Sequence, residues 1–149
     1  MDEILELRRS IEEGRYDDAL ALVDEITAMA RKDIVDKIGS YIRVLLIHLI
    51  KSRVEQRMTH SWSTSILFAL EAIKRYNERD ESNGTYLDEA GLRHHIDEYW
   101  ALALRKASLE AFEGKYSPRE FAKLIDAESV KAQALEYILH GFPETDEAI

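Results

Sequence analysis

The chain has 149 residues, of which 46% are hydrophobic; this excludes a disordered chain and makes one domain the default expectation. It has no cysteine, so disulfide scaffolds, thiolate zinc sites and cysteine nucleophiles are excluded together. The net charge of −9 disfavours nucleic-acid binding, because surplus carboxylates repel phosphate backbones. The charge is uneven: residues 1–30 sum to −6, whereas residues 31–57 sum to +4.

The N-terminal segment predicts a helical hairpin over residues 1–31. Apolar residues recur at helical spacing over residues 2–13, and Gly14 follows where helices commonly end in a left-handed residue. Asp17 can cap the second helix of this hairpin. We expect this hairpin to be the part of the chain that contacts a partner.

A third helix is predicted from a capping Asp33 to about Arg57. Between residues 41 and 50 its apolar positions cover almost the whole circumference. A helix that is apolar all round must be covered on most sides, so we place this helix at the centre of the domain.

The middle of the chain predicts two further helices. A fourth helix begins at Ser61 or Ser63, and a polar loop at 77–84 contains the turn signal Asn83-Gly84. Asp88 caps a long fifth helix, which Gly114 ends.

The C-terminal part begins with a fairly specific start signal. Ser117-Pro118-Arg119-Glu120 combines a capping box with proline at the first helical position. Asp126 caps a last helix, which Gly141 and Pro143 stop, and residues 143–149 are expected to be a loose acidic tail.

These elements predict a single all-α domain over residues 1–142. The expected architecture is a helical bundle, with a four-helix core formed by the second to fifth helices and shorter helices at the N- and C-termini.

The start of the chain is acidic and lacks the features of a signal peptide. The densest apolar stretch, at 41–50, is far shorter than the roughly 20 residues that a membrane span needs. The chain is therefore expected to be a soluble cytoplasmic protein without a membrane partner.

Several segments together resemble a bacterial family of domains of unknown function, number 29. The most distinctive are Leu-x-x-His-Leu-x-Lys at 45–51 and Ser-Trp-x-x-Ser-Ile at 61–66, supported by the runs at 12–23 and 32–34. The resemblance implies an all-helical domain and no assigned activity.

His48 is the most interesting candidate for chemistry, because histidine can ligate a metal or transfer protons near neutral pH. Arg43 and His48 fit the Arg-x(4–6)-His spacing of HEPN-type helical ribonucleases, as do Arg53 and His60. However, five residues separate two side chains by about 140° on an ideal helix. A neutral core histidine is the favoured interpretation of His48.

A helix-borne metal site is the other catalytic alternative. His94 with Asp97 or Glu98, and His95 with Glu98, have helical ligand spacing, and His48 could complete the set. A partly exposed surface pair is the favoured interpretation of His94 and His95.

The sequence contains no recognisable catalytic constellation, phosphate loop or cofactor motif. The first hypothesis is therefore a non-enzymatic protein-interaction module that binds protein, including itself as a homodimer, and uses no cofactor. The alternative is a His-dependent enzyme centred on His48, either a ribonuclease or a metal-assisted hydrolase.

Overall fold

The computed structural model describes residues 2–79 and 84–143, and the described chain is all-helical, as predicted. A long helix accompanied by shorter terminal helices is compatible with the predicted bundle. The predicted turn residue Asn83 and the tail at 144–149 lie outside the described residues. The helices are α1 (Glu3–Glu12), α2 (Tyr16–Glu55), α3 (His60–Asn77), α4 (Glu89–Glu110), α5 (Pro118–Ala122) and α6 (Ala127–His140), and a 3₁₀ turn spans Ala111–Gly114.

The chain divides into two compact units, residues 1–36 and residues 37–149. The first unit contains α1 and the beginning of α2, joined by a turn at Gly14, whose φ is +73°. The backbone N–H of Arg15 donates to the carbonyl of Ser10 across this turn. A single domain across both units stays a prediction.

The predicted boundary between the second and third helices is wrong, because α2 continues without a break through Asp33. The residues from Ala28 to Lys32 are good helix formers, and neither glycine nor proline occurs between residues 14 and 39. An aspartate caps a helix only where the chain leaves helical geometry, and nothing in this segment makes it do so.

The buried stretch of α2 forms the core of the second unit. Six of its large apolar side chains are no more than 2% exposed: Ile38, Ile42, Leu45, Leu46, Leu49 and Ile50. This burial confirms the predicted central position of the helix within that unit.

The last helix takes a larger part in this core than predicted. Val130, Ala134 and Leu135 of α6 are buried, and Phe121 of the short helix α5 is fully buried. Residues 17–31, predicted as one of the four core helices, belong instead to the first unit, where Ala19 is their buried apolar residue.

Local capping signals account for most of the helix boundaries. Asp88, Ser117 and Asp126 accept backbone N–H bonds as predicted, and Ser117 and Glu120 form the complete capping box. The fourth predicted helix begins earlier than expected, at His60, because Thr59 caps it by accepting from the N–H of Trp62.

Two contacts fix the register of α2 against α4 within the second unit. A side chain at Gly39 would overlap the ring of Tyr99, so glycine allows the close approach of that ring. Lys51 lies twelve residues beyond Gly39 on α2 and donates a hydrogen bond to Glu110. Glu110 in turn lies eleven residues beyond Tyr99 on α4. The two helices therefore run parallel.

Candidate functional site

Three features of the structure are candidates for function: a polar cluster around His48, a histidine pair on α4, and the apolar surface of the N-terminal hairpin. The polar cluster lies in the second unit and comprises His48, Lys51, Trp62 and Glu110. The described helices include none that is long and apolar enough to cross a bilayer.

His48 lies on α2 between the buried side chains of Ile47 and Leu49, and is itself half-buried. Its Nδ1 is buried and has no hydrogen-bond partner among the described residues. Burial lowers the pKa of His48, and the nearby positive charge of Lys51 lowers it further. The negative charge of Glu110 raises this pKa but does not reverse the shift. The imidazole is therefore neutral at pH 7.

Lys51 lies one turn after His48 and is only 8% exposed. Its ammonium donates to Oε1 of Glu110 at 2.9 Å and lies 5.1 Å from the ring centroid of Trp62. Burial raises the pKa of Glu110, but hydrogen bonds and charges from Lys51 and Lys106 outweigh it and the net shift is downward. A buried cation is thus matched by one carboxylate and one aromatic face.

The polar cluster joins residues from the two segments that carry the family resemblance. His48 and Lys51 belong to the first segment and Trp62 belongs to the second, and the aromatic contact brings them together. Sequence reasoning missed Glu110, because it lies 59 residues from Lys51 and no motif surrounds it.

The predicted ribonuclease pair is not brought together on one face. Helix α2 is continuous through Arg43 and His48, so the ideal separation of about 140° applies, and Arg43 is exposed whereas His48 is half-buried. The second pair with ribonuclease-like spacing is Arg53 and His60. Arg53 donates hydrogen bonds to Ser129 and Gln133 of α6, which gives it a structural role.

The histidine pair on α4 does form a cluster with Glu98. One ring nitrogen of His94, one of His95 and a carboxylate oxygen of Glu98 all lie within 4.8 Å of one another. His94 is exposed, whereas His95 is half-buried and has its Nδ1 buried.

His48 does not complete this set. It lies nine residues beyond Gly39 on α2, whereas His95 lies four residues before Tyr99 on the parallel helix α4. At 1.5 Å per residue, the two histidines are separated by about 20 Å along the helix axes.

The third feature is an apolar surface on the N-terminal hairpin. Tyr16, Leu20 and Val23 repeat at i, i+4 and i+7 along α2, and Ile4 and Ile11 repeat at i and i+7 along α1. Seven large apolar side chains of this unit are 42–64% exposed: Ile4, Leu5, Ile11, Tyr16, Leu20, Val23 and Met29. The helical spacing of apolar residues over residues 2–13 is predicted from the sequence, whereas their exposure to solvent is not.

The neutral state of His48 predicts a pH dependence of stability. Because its pKa is lower in the folded chain, the unfolded chain binds more protons as the pH falls below about 6.5. We expect the free energy of unfolding to fall over this range in the wild type and to fall less steeply in His48→Gln. Denaturant titrations between pH 7.5 and the onset of carboxylate protonation measure the free energy of unfolding of both proteins. If it depends on pH equally in the two, His48 is not a neutral side chain with a lowered pKa.

Taken together, these features define an all-helical protein with a partly buried polar cluster and an exposed apolar hairpin. Residues 6–131 match the model of the family described as Domain of unknown function DUF29. The chain therefore belongs to the DUF29 family. No curated protein and no solved structure matches the chain.

Proposed function

We propose that the protein is a non-enzymatic interaction module whose N-terminal hairpin binds a second copy of the same chain. The observation that carries the proposal is the exposure of seven large apolar side chains in a unit of 36 residues. Scattered exposed apolar residues are ordinary, but apolar residues repeated along one helix face are typical of an interface.

The size of the apolar surface supports a protein partner. Each of these side chains exposes roughly 100 Å², about half the area of a large side chain, so the five that repeat along the faces of α1 and α2 offer on the order of 500 Å². A stable interface buries about 800 Å² on each partner. These five residues therefore supply more than half of one side of a standard interface.

Two-fold symmetry supports a second copy as that partner. When two identical chains meet about a two-fold axis, the same surface patch is buried on both, so the apolar stripe of one hairpin covers that of the other. Residues 1–30 carry −6, so this pairing brings like charges together and is expected to depend on salt.

Sedimentation velocity of the full chain tests this proposal. We expect the wild type to be a dimer at micromolar concentration, and Leu20→Glu to weaken it at least about tenfold by placing a charge in the apolar stripe. Leu109→Glu is the matched control, because Leu20 is 63% exposed and Leu109 is 64% exposed.

Two results would overturn the proposal. One is a wild type that stays monomeric at every concentration measured; the other is an equal loss of dimer affinity in Leu20→Glu and Leu109→Glu. Salt provides a further check on the pairing of two hairpins. Because residues 1–30 of each copy carry −6, added salt should screen their repulsion and strengthen the dimer.

The alternative, a His-dependent enzyme centred on His48, has less support. Arg43 lies on another face of α2, and the histidines of α4 are about 20 Å away along the helices. The ammonium of Lys51 is already engaged by Glu110 and Trp62. These placements favour a structural role for the polar cluster.

A further inference from the structure

We propose that His94, His95 and Glu98 bind a divalent transition-metal ion, with Zn²⁺ as the ion that fits best. The site goes beyond the interaction function and does not depend on it. All three residues lie on α4, so one rigid helix sets their spacing.

The geometry requires only small side-chain movements. Three candidate ligand atoms already lie within 4.8 Å of one another, and Nε2 of His94 is 3.5 Å from Oε2 of Glu98. Zinc–ligand distances of about 2.0–2.2 Å bring ligand atoms closer than 4.8 Å, so the set closes around an ion by rotating exposed side chains.

The ligand chemistry selects the class of ion. Two imidazoles and one carboxylate are a known zinc set that leaves a fourth position for water. Imidazole nitrogen favours Zn²⁺ and its first-row neighbours over Mg²⁺ and Ca²⁺, which prefer oxygen ligands. A hard cation should therefore bind this site poorly.

Packing holds one of the ligands in place before the ion arrives. The ring of His95 lies edge-on to Tyr99, with 6.3 Å between centroids, and Tyr99 packs against Gly39 of α2. The buried Nδ1 of His95 has no hydrogen-bond partner in the described parts of the chain. Packing against Tyr99 thus positions the ring before an ion binds.

An ion can reach the cluster from solvent, because His94 and Glu98 are exposed. Side chains on a helix point toward its N-terminus, so His94 and His95 point toward the preceding turn. Gly91 lies on that turn, three residues before His94. The carboxylate of Asp88 caps the same turn through the N–H of Gly91 and adds negative charge nearby.

Isothermal titration of the full, untagged chain with ZnCl₂ tests the site. We expect one ion per chain with micromolar affinity, and no comparable binding of Mg²⁺. His94→Ala and Glu98→Gln should each weaken binding by about tenfold or more, because each removes one of three ligands. Both residues are exposed, so neither change should disturb folding.

The chain supplies a matched control on α6. His140 and Glu136 also form an i,i+4 histidine–carboxylate pair, with 4.0 Å between Nε2 and Oε2, and both side chains are exposed. His140→Ala should leave the zinc affinity unchanged. The absence of one-to-one zinc binding, or equal losses in His94→Ala and His140→Ala, would overturn the assignment.

Discussion

Replacing Leu46 by alanine is expected to lower the free energy of unfolding by about 3 kcal/mol, within the range for leucine truncation in a close-packed core. Leu46 is fully buried on α2 and lies among equally buried side chains of the same helix. Its removal leaves a cavity that neighbours on a regular helix can fill only in part. Chemical denaturation at fixed protein concentration measures the loss, because self-association would otherwise shift the apparent stability.

Leu109→Ala serves as the control for this change, since Leu109 is exposed on α4. Its effect should stay within about 0.5 kcal/mol. If the two alanine variants lose equal stability, the stretch of α2 from residue 38 to residue 50 is not the core of the second unit.

The second large effect is expected at Lys51. Lys51→Ala removes a short bond to an ionised carboxylate and a cation–π contact with Trp62, and we expect a loss of about 2 kcal/mol. The side chain of Glu110 is 36% exposed, so water can partly replace the missing cation, and the loss is smaller than for a fully buried pair.

The same carboxylate provides the control. The ammonium of Lys106, one helical turn before Glu110 on α4, lies 3.4 Å from Oε2 of Glu110, and the side chain of Lys106 is exposed. An exposed pair of this kind contributes little, so Lys106→Ala should cost less than about 0.5 kcal/mol. A double-mutant cycle with Glu110→Gln separates the pairing from the loss of packing; a coupling energy near zero for Lys51 and Glu110 would refute the role given to the pair.

Features encoded within a few residues could be predicted from the sequence. The caps at Asp88, Ser117 and Asp126 depend on a side chain and an N–H group three residues apart, so the local pattern determines them. The burial of α2 between residues 38 and 50 could be predicted because the apolar residues at 41–50 cover almost the whole circumference. The continuity of α2 was missed because an aspartate suits both a cap and an exposed helical position, as at Asp33.

The candidate sites were less predictable, because they depend on contacts between distant residues. The helical spacing of His94, His95 and Glu98 is local and was recognised, whereas the bond between Lys51 and Glu110 joins two helices. Periodicity likewise revealed Leu20 and Val23, although not Tyr16, which precedes the predicted cap at Asp17, and a stripe does not identify what covers it. What covers the stripe depends on the tertiary structure and, in our proposal, on a second copy of the chain.

The rate of thiol modification at position 20 tests the self-association of the hairpin most directly. The natural chain has no cysteine, so Leu20→Cys and Leu109→Cys each introduce a single thiol at positions of nearly equal exposure. We predict that a bulky thiol reagent modifies Cys at position 20 more slowly as the protein concentration rises, while the rate at position 109 stays constant. Rates at both positions that are independent of concentration would contradict the account.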